Sequence, residues 1–391
     1  MKRFSNFLAE MTQDDEKQLK HLEHAEDHPL NAGHEGVVHA LANLRDVHRK
    51  LRGRDVPTKI TTKMDGSPSV VFGYHPVTGK FFVGSKSVFN KNPKVNYTPE
   101  DIQKNHGHAP GLVEKLKAAL KHLPKVTPKQ GIFQGDIMHT KHDVHVDKDK
   151  VHFTPNTITY SVPKDSPHGQ AALKSHIGIA VHTAYKGDDL ENMRAHYAPS
   201  LSSFRNHGDV HLISTEHDLS KVKYTPKAQT QFRDNYKKAV ETAKDTDENT
   251  WKAVGRHTIP LKTYINATVR HGTTPSFNGF VDHYKSAHMK KVDSVSSAKA
   301  KAAKTEAMNK DLADVTANRH HFDKALALHK HLQKAKNVVT NTLSSGSEFD
   351  HSIRGKKSKP EGFVTVRNNR PTKFVDRKEF SAANFNRDKA L

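Results

Sequence analysis

The chain has 391 residues, 34% of them hydrophobic, with a formal net charge of +21 and no cysteine. That length suffices for two or three packed units, and the missing thiols exclude disulfides, cysteine nucleophiles and cysteine zinc sites, in agreement with a reducing, cytoplasmic compartment. No apolar stretch is long enough to span a bilayer, Met1-Lys2-Arg3-Phe4 opens no signal-peptide core, and so basic a field concentrates polyanions, with nucleic acid the natural partner.

Val37, Leu41, Leu44, Val47 and Leu51 recur at helical spacing, and Gly53 stands where a helix C-cap belongs, so residues 1–54 read as an N-terminal helical segment. The period then changes. Lys59 to Lys63, Ser69 to Gly73 and Lys80 to Gly84 are short β-branched and aromatic runs between turn-forming residues, most simply an antiparallel meander. Leu112, Leu116 and Leu120 predict a helix, and Gly131 to Met138, Ile158 to Val162 and Ile177 to His182 predict further strands. Residues 55–189 therefore read as the first part of an α+β core, and residues 350–391, with strand-like Glu361 to Val366 and Pro371 to Val375, as its second part.

Between them, residues 190–349 carry few strand signals and long Ala/Lys-rich stretches, notably Ser297 to Asp311 and Phe322 to Leu343, which predict a helical insertion. Phe322, Ala325, Leu328, Leu332, Ala335 and Val339 form the buried stripe of an amphipathic helix, leaving Lys324, Lys330, Lys334 and Lys336 on its more solvated sides for phosphate contacts. The 30 histidines are scattered singly without a His-Glu-x-x-His spacing, and read mostly as surface residues.

The chemistry concentrates in Lys63-Met64-Asp65-Gly66, between two predicted strands, where a lysine projects from a rigid edge and the glycine lets the chain turn closely against a ligand. A nucleophilic lysine must lose its proton. Burial or neighbouring positive charge, such as Lys86 and a magnesium ion, would favour that.

This tetrapeptide resembles motif I of the covalent nucleotidyltransferases, the superfamily of ATP-dependent DNA ligases, RNA ligases and mRNA capping enzymes, and further motif-like segments follow in the same order. Val83-Gly84-Ser85-Lys86-Ser87 looks like the basic segment facing the phosphates, and Phe133-Gln134-Gly135-Asp136-Ile137 looks like motif III with aspartate in place of glutamate. Ile177-Gly178-Ile179-Ala180-Val181 occupies the place of motif IIIa without its adenine-stacking aromatic, for which Tyr185 is the candidate substitute. Glu361-Gly362-Phe363-Val364 resembles motif IV. Lys373-Phe374-Val375 stands where motif V has Lys-x-Lys, with Arg377 or Lys378 as candidates for the second cation. Pro68 replaces a nucleotide-contacting arginine or asparagine, with Ser67 or Ser69 to take over.

The resemblance covers residues from about 55 to 190 and from about 355 to 378, and the chain is also similar to uncharacterised proteins of large tailed bacteriophages. It implies an antiparallel-sheet, ATP-grasp-like adenylation core, with ATP and Mg2+ as cofactors and Lys63 as the residue that carries AMP. Thr61, Thr62, Asp65, Gly66, Lys86, Asp136 and Lys373 would bind the nucleotide, and Asp136 and Glu361 the metal. The short segment after Val375 leaves no room for an OB-fold, which favours an RNA-ligase-like protein acting on 5′-phosphate and 3′-hydroxyl ends, RNA before DNA. Two alternatives stay open: a non-catalytic nucleic-acid-binding protein on the same fold, and an adenylyltransferase that does not seal ends.

Overall fold

The computed structural model describes residues 22–378. The stripe from Val37 to Leu51 lies on α1 (His28–Leu51), which opens with Pro29 in its first turn and ends at Gly53, whose φ of +72° and amide bond to the Lys50 carbonyl close the last turn. The described chain forms two compact units. The first takes Lys59–Asp218 and Ser347–Pro371, and the second takes Leu22–Thr58, Leu219–Gly346 and the chain from Thr372.

In the first unit the strand-like runs become β1 (Lys59–Lys63), β2 (Ser69–Tyr74) and β3 (Phe81–Gly84), followed by α2 (Pro99–His106) and α3 (Pro110–His122). Then come β4 (Ile132–Thr140), β5 (Val144–Asp147), β6 (Lys150–Phe153), β7 (Thr159–Pro163), α4 (Pro167–Lys174), β8 (Ile177–Lys186), β9 (Arg194–Tyr197) and β10 (Val210–Ser214). After the second unit's helices the chain returns as β11 (Asp350–Ile353), β12 (Lys356–Ser358) and β13 (Gly362–Arg367), and β14 (Arg370–Phe374) carries it back to the second unit. The fold is mixed α and β with mainly antiparallel sheets: order β10-β8-β4-β2-β3 with β9 on β8, order β12-β11-β7-β6-β5, and order β1-β13-β14. Among the described residues the β10–β8 pair is parallel, as is the isolated bridge of His24 with Lys373, and the other described strand pairings are antiparallel.

The expected meander is corrected at its first strand. β2 and β3 do form an antiparallel hairpin, but β1 leaves it and pairs with β13, about 300 residues later in sequence, with Thr61 opposite Val364. The cause is the turn after Lys63: Ser67 N bonds Ile137 O and Ile137 N bonds Pro68 O, so the chain spends these residues on β4 before β2 begins.

Alternation along the large sheet divides its faces. Val70, Phe72, Ile137, Ile179 and Val181 pack with Ile102 of α2 and Val113, Leu116 and Ala119 of α3 in one core, while Val71, Phe82, Ile132 and Tyr185 fill another. Each fully buried aliphatic or aromatic side chain contributes roughly 1.5–3 kcal/mol. Thr98 and Asp101 form a capping box that starts α2.

Several histidines expected at the surface lie inside. His139 on β4 and His211 on β10 both stand opposite Gly178 on the strand between them. A Cβ at Gly178 would come within 2.2 Å of His139 Nε2, so the glycine is the gap through which the two rings meet, 3.0 Å apart. His211 continues to His168 of α4 at 2.9 Å, and His168 to Glu348 at 3.4 Å.

The second unit contains α1 and α5 (Pro226–Lys244), α6 (Glu248–Gly255), α7 (Thr258–His271), α8 (Phe277–Asp293), α9 (Ala298–Ala317) and α10 (Arg319–Leu343). The region expected to be helical from residue 190 first forms β9 and β10, whose short runs pair with β8, and becomes helical at Pro226. The stripe from Phe322 to Val339 on α10 is buried as its spacing requires, against α1, α5 and α6. Lys336 is a correction. It is 0% exposed, and its ammonium donates to Glu26 Oε1 at 2.8 Å and to the Val375 carbonyl at 2.7 Å. Lys324 is half-buried, and Lys330 and Lys334 are exposed. Beside this pair, Asp27 receives His329 at 3.0 Å and Arg377 at 3.2 Å, so Arg377 is committed within this unit.

These buried groups set two expectations for stability. Lys336→Met leaves the Glu26 carboxylate buried without its cation, and urea unfolding should show a loss of about 3–5 kcal/mol, whereas Lys330→Gln should change stability little. Burial pushes the His139 imidazolium from 6.5 down to about 4. Between those values the unfolded chain binds a proton that the folded chain refuses. Stability should therefore be full above pH 6.5 and fall as pH drops toward 4, by at most about 1.4 kcal/mol per pH unit for this group. Urea titrations across that range should show a shallower pH slope in His139→Phe.

Candidate active site

The register of β1 on β13 sets Lys63 opposite Gly362, next to Glu361 at the start of that strand. Lys63 Nζ donates to both carboxylate oxygens of Glu361, each at 2.6 Å. The side chains of Lys63 and Glu361 are 27% and 12% exposed, so the pair is sheltered yet reachable. Burial alone disfavours the ammonium. Glu361, with Asp136 and Asp65 behind it, outweighs that and raises the Lys63 pKa above the ordinary lysine value. The surroundings expected to strip its proton are thus reversed, because the groups facing the amine are carboxylates.

The turn after Lys63 explains the rest of its tetrapeptide. A Cβ on Gly66 would lie 2.5 Å from the Asp136 Cβ and 2.9 Å from the Met138 sulfur, so only glycine lets this turn lie flat on β4. Asp65 ties down the other side. Its carboxylate accepts from Asn156 Nδ2 at 2.8 Å and from the amides of Thr157 and Ile158 at 2.9 and 3.1 Å, while its own amide donates to the Tyr160 hydroxyl at 2.6 Å. Asp65 therefore holds the loop; its oxygens are already occupied.

Asp136 stands on β4 opposite Ser69 of β2, beside Ile137, which points into the helix-covered core, so Asp136 points away from it. Burial works to raise its pKa, but His182 on β8, whose Nε2 is 3.5 Å away, together with Ser69 and Lys63, brings it below the usual carboxylate value. His182 is a site residue the sequence reading passed over. It follows the motif IIIa-like run by one position, at a register shift where Val181 pairs with Gly135 and Thr183 with Gln134, so strand alternation breaks there and only its place beside that run could have flagged it. A second is Lys115 on α3, half-buried, which donates to the Ser67 carbonyl at 2.9 Å and so brings a cation to the lysine-bearing turn.

The remaining candidates are placed as follows. Thr61 Oγ1 donates to Val364 O, Thr62 Oγ1 meets His217 Nδ1, and the Thr62 amide donates to Thr215 O at 2.7 Å, so that amide is taken by the sheet. Lys86 is exposed in a short 3-10 turn capped by Ser85, and among the described residues it has no ion-pair partner. Tyr185, the candidate stacking residue, is a core side chain. It is 4% exposed, donates to Gln134 and touches Phe89, so it offers no face to a nucleotide. Lys373 belongs to the second unit, where its amide donates to Glu23 O and its carbonyl accepts from Ala25.

Among the described residues no group of three or more His, Cys, Asp or Glu side chains is arranged to hold a metal ion, and no helix is long and apolar enough to cross a membrane. Asp136 and Glu361 nonetheless supply hard oxygen donors around one ammonium. That is the donor chemistry a magnesium ion takes when nucleotide phosphates complete its shell.

Comparison with known proteins adds one relationship. A family described as of unknown function, DUF6267, matches residues 18–389. The chain belongs to the DUF6267 family. No curated protein and no solved structure matches it. The span that matches DUF6267 contains all the described residues of both units and every residue of the site.

The site makes a pH-dependent prediction. Neutralising the carboxylate that grips Lys63 should lower the lysine pKa. In pulsed acetylation read by mass spectrometry, without nucleotide or metal, the rise of Lys63 modification with pH should shift to lower pH in Glu361→Gln. An unshifted profile would mean that Glu361 does not set the charge of this amine.

Proposed function

We propose that the protein is an ATP-dependent nucleotidyltransferase of the polynucleotide-ligase type, RNA-ligase-like, in which Lys63 carries AMP. One observation carries the reading: three residues widely separated in sequence are gathered, Lys63 bonded to Glu361 through the β1–β13 pairing and Asp136 lying under the Gly66 turn that follows the lysine. The first unit would be the adenylation core. The motif order described above supports the same assignment.

Catalysis here would consist mostly of positioning and charge neutralisation, as phosphoryl transfer requires. Glu361 holds the Lys63 ammonium in the resting site and is the nearest acceptor for its proton. The freed amine then attacks the α-phosphorus of ATP, the bond to the bridging oxygen breaks, and pyrophosphate leaves with the electron pair. AMP passes to a 5′-phosphate end, and a 3′-hydroxyl displaces it. Asp65 and Gly66 fix the turn that aims the lysine, and Lys115, bonded to that turn at the Ser67 carbonyl, together with the exposed Lys86 would carry phosphate charge. Asp136 and Glu361 would hold magnesium, which supplies positive charge against the triphosphate.

A second reading, a non-catalytic nucleic-acid-binding protein, is favoured by the engaged Thr62 amide and the core position of Tyr185. Incubation with α-labelled ATP and magnesium, then denaturation, separates the two. Label should stay on the wild-type chain, disappear in Lys63→Ala, and fall at least tenfold in Asp136→Ala, a loss of about 1.4 kcal/mol or more of transition-state stabilisation, with circular dichroism unchanged. Equal labelling of wild type and Lys63→Ala would remove Lys63 as the nucleophile, and no labelling of the wild type would favour the second reading. Product analysis on nicked and single-stranded substrates then distinguishes sealing from end adenylylation alone.

A further inference from the structure

Arg45 and Arg49 on α1 and Arg52 at its C-cap lie at i, i+4 and i+7, which sets them in one row with adjacent Cβ atoms about 5–6 Å apart. All three are exposed. The neighbouring helix α5 adds an exposed Arg233. Between the two helices runs a ladder of rings. His48 stacks on Phe232 at 4.6 Å, meets Tyr224 edge-on at 5.6 Å and bonds the Tyr224 hydroxyl at 2.6 Å, and Phe232 stacks on Tyr236 at 5.5 Å. His48, Tyr224 and Tyr236 are half-buried, so their edges reach the surface.

These cations and rings converge. Burial first, then the charges of Arg52 and Arg233, depress the basicity of His48, so an arginine at the end of α1 and one on α5 both act on the same ring. Almost no acid answers them. Arg45 Nε lies 3.5 Å from Asp46, a buried carboxylate already bonded to Thr58, and Arg233 donates to the Thr230 hydroxyl. Arg49 and Arg52 take no ion-pair partner among the described residues.

A helix dipole stabilises cations in a last turn, which accounts in part for Arg49, but the effect fades within that turn and does not extend to Arg45 or to a second helix. Guanidinium groups bind phosphates through paired N–H donors, and the partly exposed rings beside them give bases an apolar surface to lie against, a combination suited to an unpaired strand. An anionic bilayer would ask for large apolar side chains on the same face. Among the described residues the exposed ones are Val77, Val146, Ile259 and Met289, none of them on α1 or α5.

We propose that the face formed by Arg45 and Arg49 of α1, Arg52 at its C-cap and Arg233 of α5 binds the backbone of a single-stranded nucleic acid. This rests on the polynucleotide part of the function proposed above and not on the lysyl-AMP part. It also moves the strand-binding role from the lysines of α10, one of which is buried, to arginines of α1, its C-cap and α5.

The test titrates the full chain against a fluorescein-labelled single-stranded oligoribonucleotide, without ATP or divalent metal, at several salt concentrations, reading anisotropy. Arg49→Gln/Arg52→Gln/Arg233→Gln should weaken binding about tenfold or more and flatten the log-log salt slope by about 2, at roughly 0.7 for each phosphate no longer neutralised. Arg49→Lys/Arg52→Lys/Arg233→Lys should keep most of the slope, and Lys330→Gln/Lys334→Gln should match wild type. Phosphatidylserine vesicles serve as the second arm. Unchanged strand affinity and slope in the triple glutamine variant would overturn the proposal, as would a wild type that binds those vesicles but not the strand. Because Lys63 labelling is read separately, loss of labelling with strand binding intact removes the enzyme and leaves this surface standing.

Discussion

The site depends on the pairing of β1 with β13. A one-residue slip in that ladder would turn Lys63 to the other face of the strand and away from Glu361, and nothing local to either segment could restore the ion pair. The register is held from outside. The amide of Thr62 and the carbonyl of Ile60 bond the chain at Thr215 and His217, so β1 is gripped on both edges. Beyond Lys63, Gly66 lets the turn press on β4, and Asp65 nails it to the segment before β7. A nucleophile that must meet a phosphorus in line needs this rigidity more than it needs flexibility.

The second unit solves a different problem. It encloses charges that would be ruinous singly: Lys336 with Glu26, and Asp27 between His329 and Arg377. Such pairs are weak sources of net stability but penalise any arrangement that separates them. Here they join residues near positions 26, 336 and 377, so they specify which distant segments assemble.

Much of this was legible locally. The spacing of Val37 to Leu51, the β-branched runs and the α10 stripe each encode their own element, since period and turn residues are short-range properties. The tetrapeptide at Lys63 and the glutamate at 361 stood out for the same reason. What the sequence could not reveal is partnership. β1 looks like the first strand of a hairpin because its partner is far away, and Lys336 looks like one more surface lysine because the acid that buries it is Glu26. Tyr185 and His182 differ by three positions on one strand, and only the β4 neighbour decides which enters the core and which faces Asp136.

The gap at Gly178 has a further consequence. The rings it joins form a directional chain ending at Glu348, and a carboxylate there only accepts, which assigns the hydrogen to His168 Nε2. With His168 as the neutral ring, its Nδ1 then receives from His211 Nε2, and His211 Nδ1 from His139 Nε2. The three imidazoles have one tautomeric variable among them. A single exposed carboxylate thereby dictates which nitrogen of a ring deep beneath β8 carries its hydrogen, and it leaves His139 Nδ1, buried and without a hydrogen-bond partner, as a bare lone pair.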